Sequence, residues 1–234
     1  MALEEGADTP ILSQQLLLSI AEELKVPLLQ IARHAGQPTV DSDFISSTAD
    51  NALRLIDDYA LGVRLAMHPE QLDSEAVSIS SVLYDTSQQL DSLAKSYGVE
   101  LELSIAGRFG PVMAHRAGLQ AALTSLGAAL IEALPAQETS LLKLQLATHR
   151  CRYGIVAGLY AETPALTSGG LKRARALQSS SRQPLINISH TSGAGIFLAD
   201  AIFKAMDLRL KVSRHNRLYG LGAVLRPNRQ LQLI

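Results

Sequence analysis

Near the start of the chain Leu17, Ile20, Leu24, Leu28 and Ile31 recur at steps of three and four. That spacing lays them along one stripe of a helix, expected over residues 11–35. Pro27 sits inside the pattern, removes one backbone donor and should bend the helix. Gly36-Gln37-Pro38-Thr39 punctuates it. A second helix is expected over 43–67, where Ile45, Ala49, Ala52, Ile56, Tyr59, Val63 and Ala66 form a heptad seam. Two such helices cannot bury both stripes on each other. Either two hairpins combine as a four-helix bundle in a dimer, or the hairpin packs on the rest of its own chain.

His68-Pro69-Glu70 breaks the pattern and divides a helical domain, 11–68, from a second domain, 75–229. Val77 begins a short strand that turns into a helix reaching Tyr97, with Gly98 placed for a left-handed cap. Residues 99–105 alternate strictly and read as a half-buried strand. A turn at 108–111 precedes a long apolar helix over 114–134, ended by Pro135. Residues 141–148 and 152–159 read as an antiparallel strand pair. Residues 160–192 are mixed, with Gly169-Gly170, a basic stretch holding Lys172, Arg173 and Arg175, and a serine loop. A helix follows over 193–206, then closing strands at 208–214 and 221–226 joined through Asn216 and Gly220. The fold class is therefore α+β: an N-terminal antiparallel helical hairpin, then an α/β sandwich with helices on one face of a mixed sheet.

Composition narrows the function classes. Of 234 residues, 47% are hydrophobic and 18% charged, enough to bury a core and too apolar for a disordered chain. The formal net charge of −1 and the 4% aromatic content give no footprint for nucleic acid or an anionic membrane. A single cysteine, Cys151, rules out an internal disulfide framework and disfavours a cysteine-based zinc site. No apolar run reaches the roughly 18 residues that would span a bilayer, and the acidic N-terminus lacks a signal peptide's basic region. The expected setting is soluble and cytoplasmic. None of the six histidines pairs with another at metal-ligand spacing, and no hydrolase triad motif is present.

The stretch Glu22-Glu23-Leu24-Lys25-Val26-Pro27-Leu28 resembles the phospho-acceptor motif of sensor histidine kinases, roughly His-Glu-Leu-Arg-Thr-Pro-Leu. Gly193-Ala194-Gly195-Ile196-Phe197-Leu198-Ala199 is similar to that family's late glycine box, and Gly220-Leu221-Gly222-Ala223-Val224-Leu225 to its final strand. The order of elements matches as well. The resemblance implies a dimerisation hairpin followed by a Bergerat-type ATPase-like domain. It favours the dimer, with Leu17, Ile20, Leu24, Leu28, Ile56 and Tyr59 as dimer and docking residues, and implies a response regulator or another signalling protein as partner.

The same resemblance locates what is missing. Glu22 stands where the family has its nucleophilic histidine, and Glu23 is left as a base with no imidazole to activate. Val26 replaces a hydrogen-bonding residue of the phosphatase reaction. Ser125 and Ala129 fall on the two positions of the magnesium-binding asparagine helix. Glu132 reads as an exposed helix charge with an oxygen to offer. Glu162 is the one carboxylate near the place of the adenine-reading aspartate. Gly193 and Gly195 survive at a helix N-terminus, where backbone amides favour anions. The reading is a dimeric regulatory module without metal or cofactor, its nucleotide pocket closed by groups such as Leu126, Leu130 or Tyr160. The alternative is a histidine phosphotransferase or divergent ATP- and magnesium-binding kinase of a phosphorelay, with His34 as a displaced acceptor.

Overall fold

A computed structural model of the chain describes residues 21, 24–25, 27–67, 73–105, 107–134, 142–162 and 193–228. Helix α1 is seen over 27–35, and a turn at 36–41 leads into α2, Ser42–Met67. The Asp41 carboxylate accepts a hydrogen bond from the Phe44 amide at 2.9 Å, satisfying one of the orphan donors at the start of α2. Across the turn the His34 ring lies 4.1 Å from that of Phe44.

Beyond the linker the order is β1 (Glu75–Val77), α3 (Ile79–Ser96), β2 (Val99–Ile105), β3 (Val112–Ala114), α4 (Arg116–Ala133), β4 (Leu142–Cys151), β5 (Gly154–Ala161), α5 (Gly193–Ala205), β6 (Leu210–His215) and β7 (Leu218–Leu225). Five strands form one mixed sheet in the order β2-β4-β5-β7-β6. β2 and β4 pair in parallel, as the intervening α4 crossover permits; the other neighbours are antiparallel. β1 and β3 make a separate two-stranded ribbon.

Three boundaries differ from expectation. β3 occupies residues 112–114, between the expected turn and the long helix and including that helix's expected first residue, because Val112 and Ala114 are both buried against the core and pair with β1. α4 consequently starts later, capped by the His115 ring, whose Nδ1 accepts the Gly118 amide at 3.0 Å. The β6–β7 turn is Asn216-Arg217, with φ of 46° and 68°, the left-handed pair of a tight hairpin. Gly220 lies inside β7, not in the turn. Gly98 does take the left-handed cap after α3, at φ 65°.

The core lies between the sheet and α3, α4 and α5, with Leu83, Leu90, Leu123, Leu126, Leu144, Leu159 and Phe203 fully enclosed. α4 is apolar nearly all round because it is covered by α3, α5, α2 and the sheet together. Arg116 ties α4 to α3 through Asp85 at 2.7 Å and Ser81 at 3.0 Å, and Thr124 donates to Gln89 at 2.9 Å. α2 packs against α5 and α4, burying Thr48, Ala52 and Gly62. Of the heptad seam, Ala52 is buried whereas Ile56 stays 43% exposed.

Candidate functional site

The residues singled out by sequence converge on the seam between α4 and α5. Ser125 and Ala129 are buried on α4. Gly195, in the first turn of α5, is pressed against both: a Cβ placed on it would sit 2.7 Å from the Ser125 carbonyl oxygen and 3.0 Å from the Ala129 Cβ. The glycine is there because the helices touch. In this seam the second glycine of the Gly-x-Gly serves close helix packing.

A magnesium–nucleotide, which the resemblance implies, would need oxygen donors at this seam. Ser125 is wholly enclosed, and its Oγ has no hydrogen-bond partner. Ala129 has no donor atom, whereas magnesium requires oxygen ligands. Glu162, just past the end of β5, is exposed. Glu132 is not the exposed charge expected from sequence: it is half-buried, and that burial pushes its carboxyl up to about 7. A carboxyl that holds its proton near neutrality is a poor ligand for a hard cation. The described residues at these positions therefore do not fit a bound magnesium–nucleotide. Among the described residues no group of His, Cys, Asp and Glu side chains could hold a metal.

Some expected residues fall elsewhere. Leu17, Ile20, Glu22, Glu23 and Val26 lie outside the described residues, as do the side chain of Tyr59 and the basic stretch at 172–175. Leu24 is half-buried and Leu28 is 59% exposed. His34 is half-buried, with its ring against Phe44 and its Nδ1 shielded and without a hydrogen-bond partner. Tyr160 does not close the seam. Its neighbour Leu159 faces the helices, so Tyr160 points to the opposite side of the sheet.

On that opposite side Tyr160 builds a cluster that linear spacing did not reveal. Its hydroxyl group lies over the backbone of Gly158 and Gly222 and reaches Ser213 Oγ at 3.4 Å. His149 and His215 stack with ring centroids 5.0 Å apart, and His215 lies 5.5 Å from the Tyr160 ring. Burial, and then the neighbouring His215, hold His149 below the ordinary histidine range; burial raises the Tyr160 phenol. The two histidines are 66 positions apart in sequence and lie on β4 and β6, which β5 and β7 separate in the sheet, so only the assembled sheet brings their rings together.

No family model and no curated protein matches the chain. Solved structures do. The Acinetobacter baumannii histidine kinase AdeS is similar at a TM-score of 0.52 and 15% identity, over 91% of this chain and 97% of that one. Full-length ShkA in complex with AMPPNP gives a TM-score of 0.53 at 10% identity, over 92% of this chain and 46% of that one. A bacterial phosphotransferase gives 0.51 at 11% identity, over 95% and 98%. At such identities the likeness is one of fold: the chain has a histidine-kinase-like core.

Proposed function

We propose that this chain is a signal-transduction protein that keeps the architecture of a histidine kinase and works as a dimeric regulatory and docking module, without phosphoryl transfer of its own. The observation that carries this reading is the contact of Gly195 with Ser125 and Ala129. In a nucleotide-binding relative the corresponding space would have to admit phosphates and a cation. The close approach of Gly195 to the Ser125 backbone and the Ala129 methyl group supports a seam closed to them. Catalysis of phosphoryl transfer consists almost entirely of positioning and charge stabilisation. A seam without ligands or room supplies neither.

The acceptor motif agrees. Glu22 replaces the nucleophile, so even a phosphoryl group delivered to that position would meet no imidazole. The parts of the motif that shape and pack a helix, Leu24, Pro27 and Leu28, are retained. The surface of the hairpin supports dimerisation: Leu28, Leu29, Leu53 and Ile56 are 59%, 59%, 59% and 43% exposed on the single chain. Exposed large apolar groups gathered on one segment mark an interaction site. A response regulator or another signalling protein is the partner that such a bundle would receive. No described helix is long and apolar enough to cross a membrane.

Isothermal titration of the full chain with Mg·ATP tests the reading. The expected result is no heat of binding up to roughly millimolar nucleotide, against the micromolar range typical of functional substrate sites. Saturable micromolar binding would overturn it.

A further inference from the structure

The end of the sheet remote from the α4–α5 seam has an unusual charge. Four segments meet there. β4 and β5 are joined by Arg152-Tyr153, with Arg150 just before the turn paired to Ile155. Ile155 pairs in turn with Leu225, which brings in Arg226. The 107–111 loop is fixed beside this tail, since the Asn228 amide donates to the Pro111 carbonyl at 2.8 Å and the Met113 amide to that of Arg226 at 3.3 Å. The connection from α5 to β6 contributes Asp207 and Arg209, just before Leu210 pairs with Ala223. Together these segments carry Arg108, Arg150, Arg152, Arg209 and Arg226 against the single carboxylate of Asp207.

All five arginines are exposed. Among the described residues, the one ion pair they make is Arg226 with Asp207, at 3.8 Å between two highly exposed side chains. Such a pair is worth little and opens readily. Two guanidinium groups are held in place by rings: Arg150 lies over Phe109 at 5.8 Å, and Arg152 over Tyr153 at 4.9 Å. A guanidinium group supported on an aromatic face is preoriented for bidentate recognition of a carboxylate. This concentration of one sign stands out on a chain whose net charge is −1.

We propose that this arginine pole is a docking surface for an acidic segment of a partner protein. Its charge is complementary to such a segment, and its forks match carboxylates. Nucleic acid fits less well. Both nearby rings already carry a guanidinium group, which covers the faces that bases would stack on. None of its five arginines belongs to α4, to α5 or to the hairpin. A partner could therefore hold this pole while the hairpin is engaged elsewhere.

Fluorescence anisotropy of the full chain with a labelled glutamate decapeptide tests this. Binding is expected at low salt, weakening about tenfold or more on going to physiological salt. R150A/R152A should lose about tenfold in affinity at low salt. K95A/K143A, which removes the same charge from the last turn of α3 and the start of β4, should lose less than about twofold. Circular dichroism confirms that each variant is folded, and R152E repeats the test with one exposed change. The proposal is overturned if the peptide does not bind, if R150A/R152A and R152E bind as the parent does, or if the lysine variant loses as much. Tighter binding of an oligothymidylate of equal charge would overturn it too.

Discussion

Glu132 and His149 pull the pH dependence of stability in opposite directions. The Glu132 carboxyl is raised from 4.5 to about 7 by burial, so the folded state holds a proton that the unfolded chain has released. Its contribution is fully present below pH 4.5 and is lost as the pH rises through about 7. The shift of roughly 2.5 pH units corresponds to at most about 3 kcal/mol. His149 is lowered, so the folded state prefers it neutral; its contribution is present above about pH 6.5 and fades as the pH falls. Glu132→Gln keeps the buried amide neutral at every pH. Its melting temperature should fall less than that of the parent between about pH 5 and pH 8, and at pH 8 the variant should be the more stable by a few degrees. Thermal scans across that range check it; an unchanged slope would refute the burial of an uncharged carboxyl. The sequence could not supply this. α4 is apolar nearly all round, so periodicity assigns its one carboxylate to no particular face, and covering from several sides decides its burial.

At the level of elements, the pattern was legible wherever one face of a segment meets water. α2, α3, β2 and α5 lie close to where alternation or helical spacing places them. It failed where only tertiary pairing defines the element. β3 is three residues long and exists because it pairs with β1, 35 positions or more away in sequence. Gly220 misled for a related reason. Between two apolar runs it reads as a turn residue, but it sits in β7 opposite Tyr160, where any Cβ would collide with the Leu159 carbonyl oxygen of the neighbouring strand. Gly220→Ala must therefore push β5 and β7 apart. It should cost about 3 kcal/mol or more, read as a lower urea midpoint. Gly110→Ala, where a Cβ would meet nothing within 4 Å, should change stability by less than about 0.5 kcal/mol. The same logic governs the Gly-x-Gly of α5. From sequence it suggests an anion site; in the fold its second glycine is consumed by helix packing.

On the scale of the whole molecule, the chain's own packing and the proposed dimer draw on different faces of α2. One face is closed by the chain itself: Gly62 lies so near Leu198 and Ile202 of α5 that no side chain fits between them, and Leu61 joins the core. The other face presents Leu53 and Ile56, with Leu28 and Leu29 of α1 also open. Packing on its own domain therefore does not exhaust the apolar surface of the hairpin, and the uncovered remainder is what the proposed dimer would bury. Each Leu or Ile withdrawn from water contributes about 1.5–3 kcal/mol, and a two-fold interface uses each of them twice. A charge placed there should be costly in the assembly and nearly neutral in the single chain. Light scattering after gel filtration should show a dimer for the parent chain and a monomer for L53D/I56D. The variant's melting temperature at low concentration should stay within a few degrees of that of the parent. A variant that stays dimeric would move the interface away from this face of α2. One that unfolds outright would mean that these residues support the fold and that their exposure is not a mark of assembly.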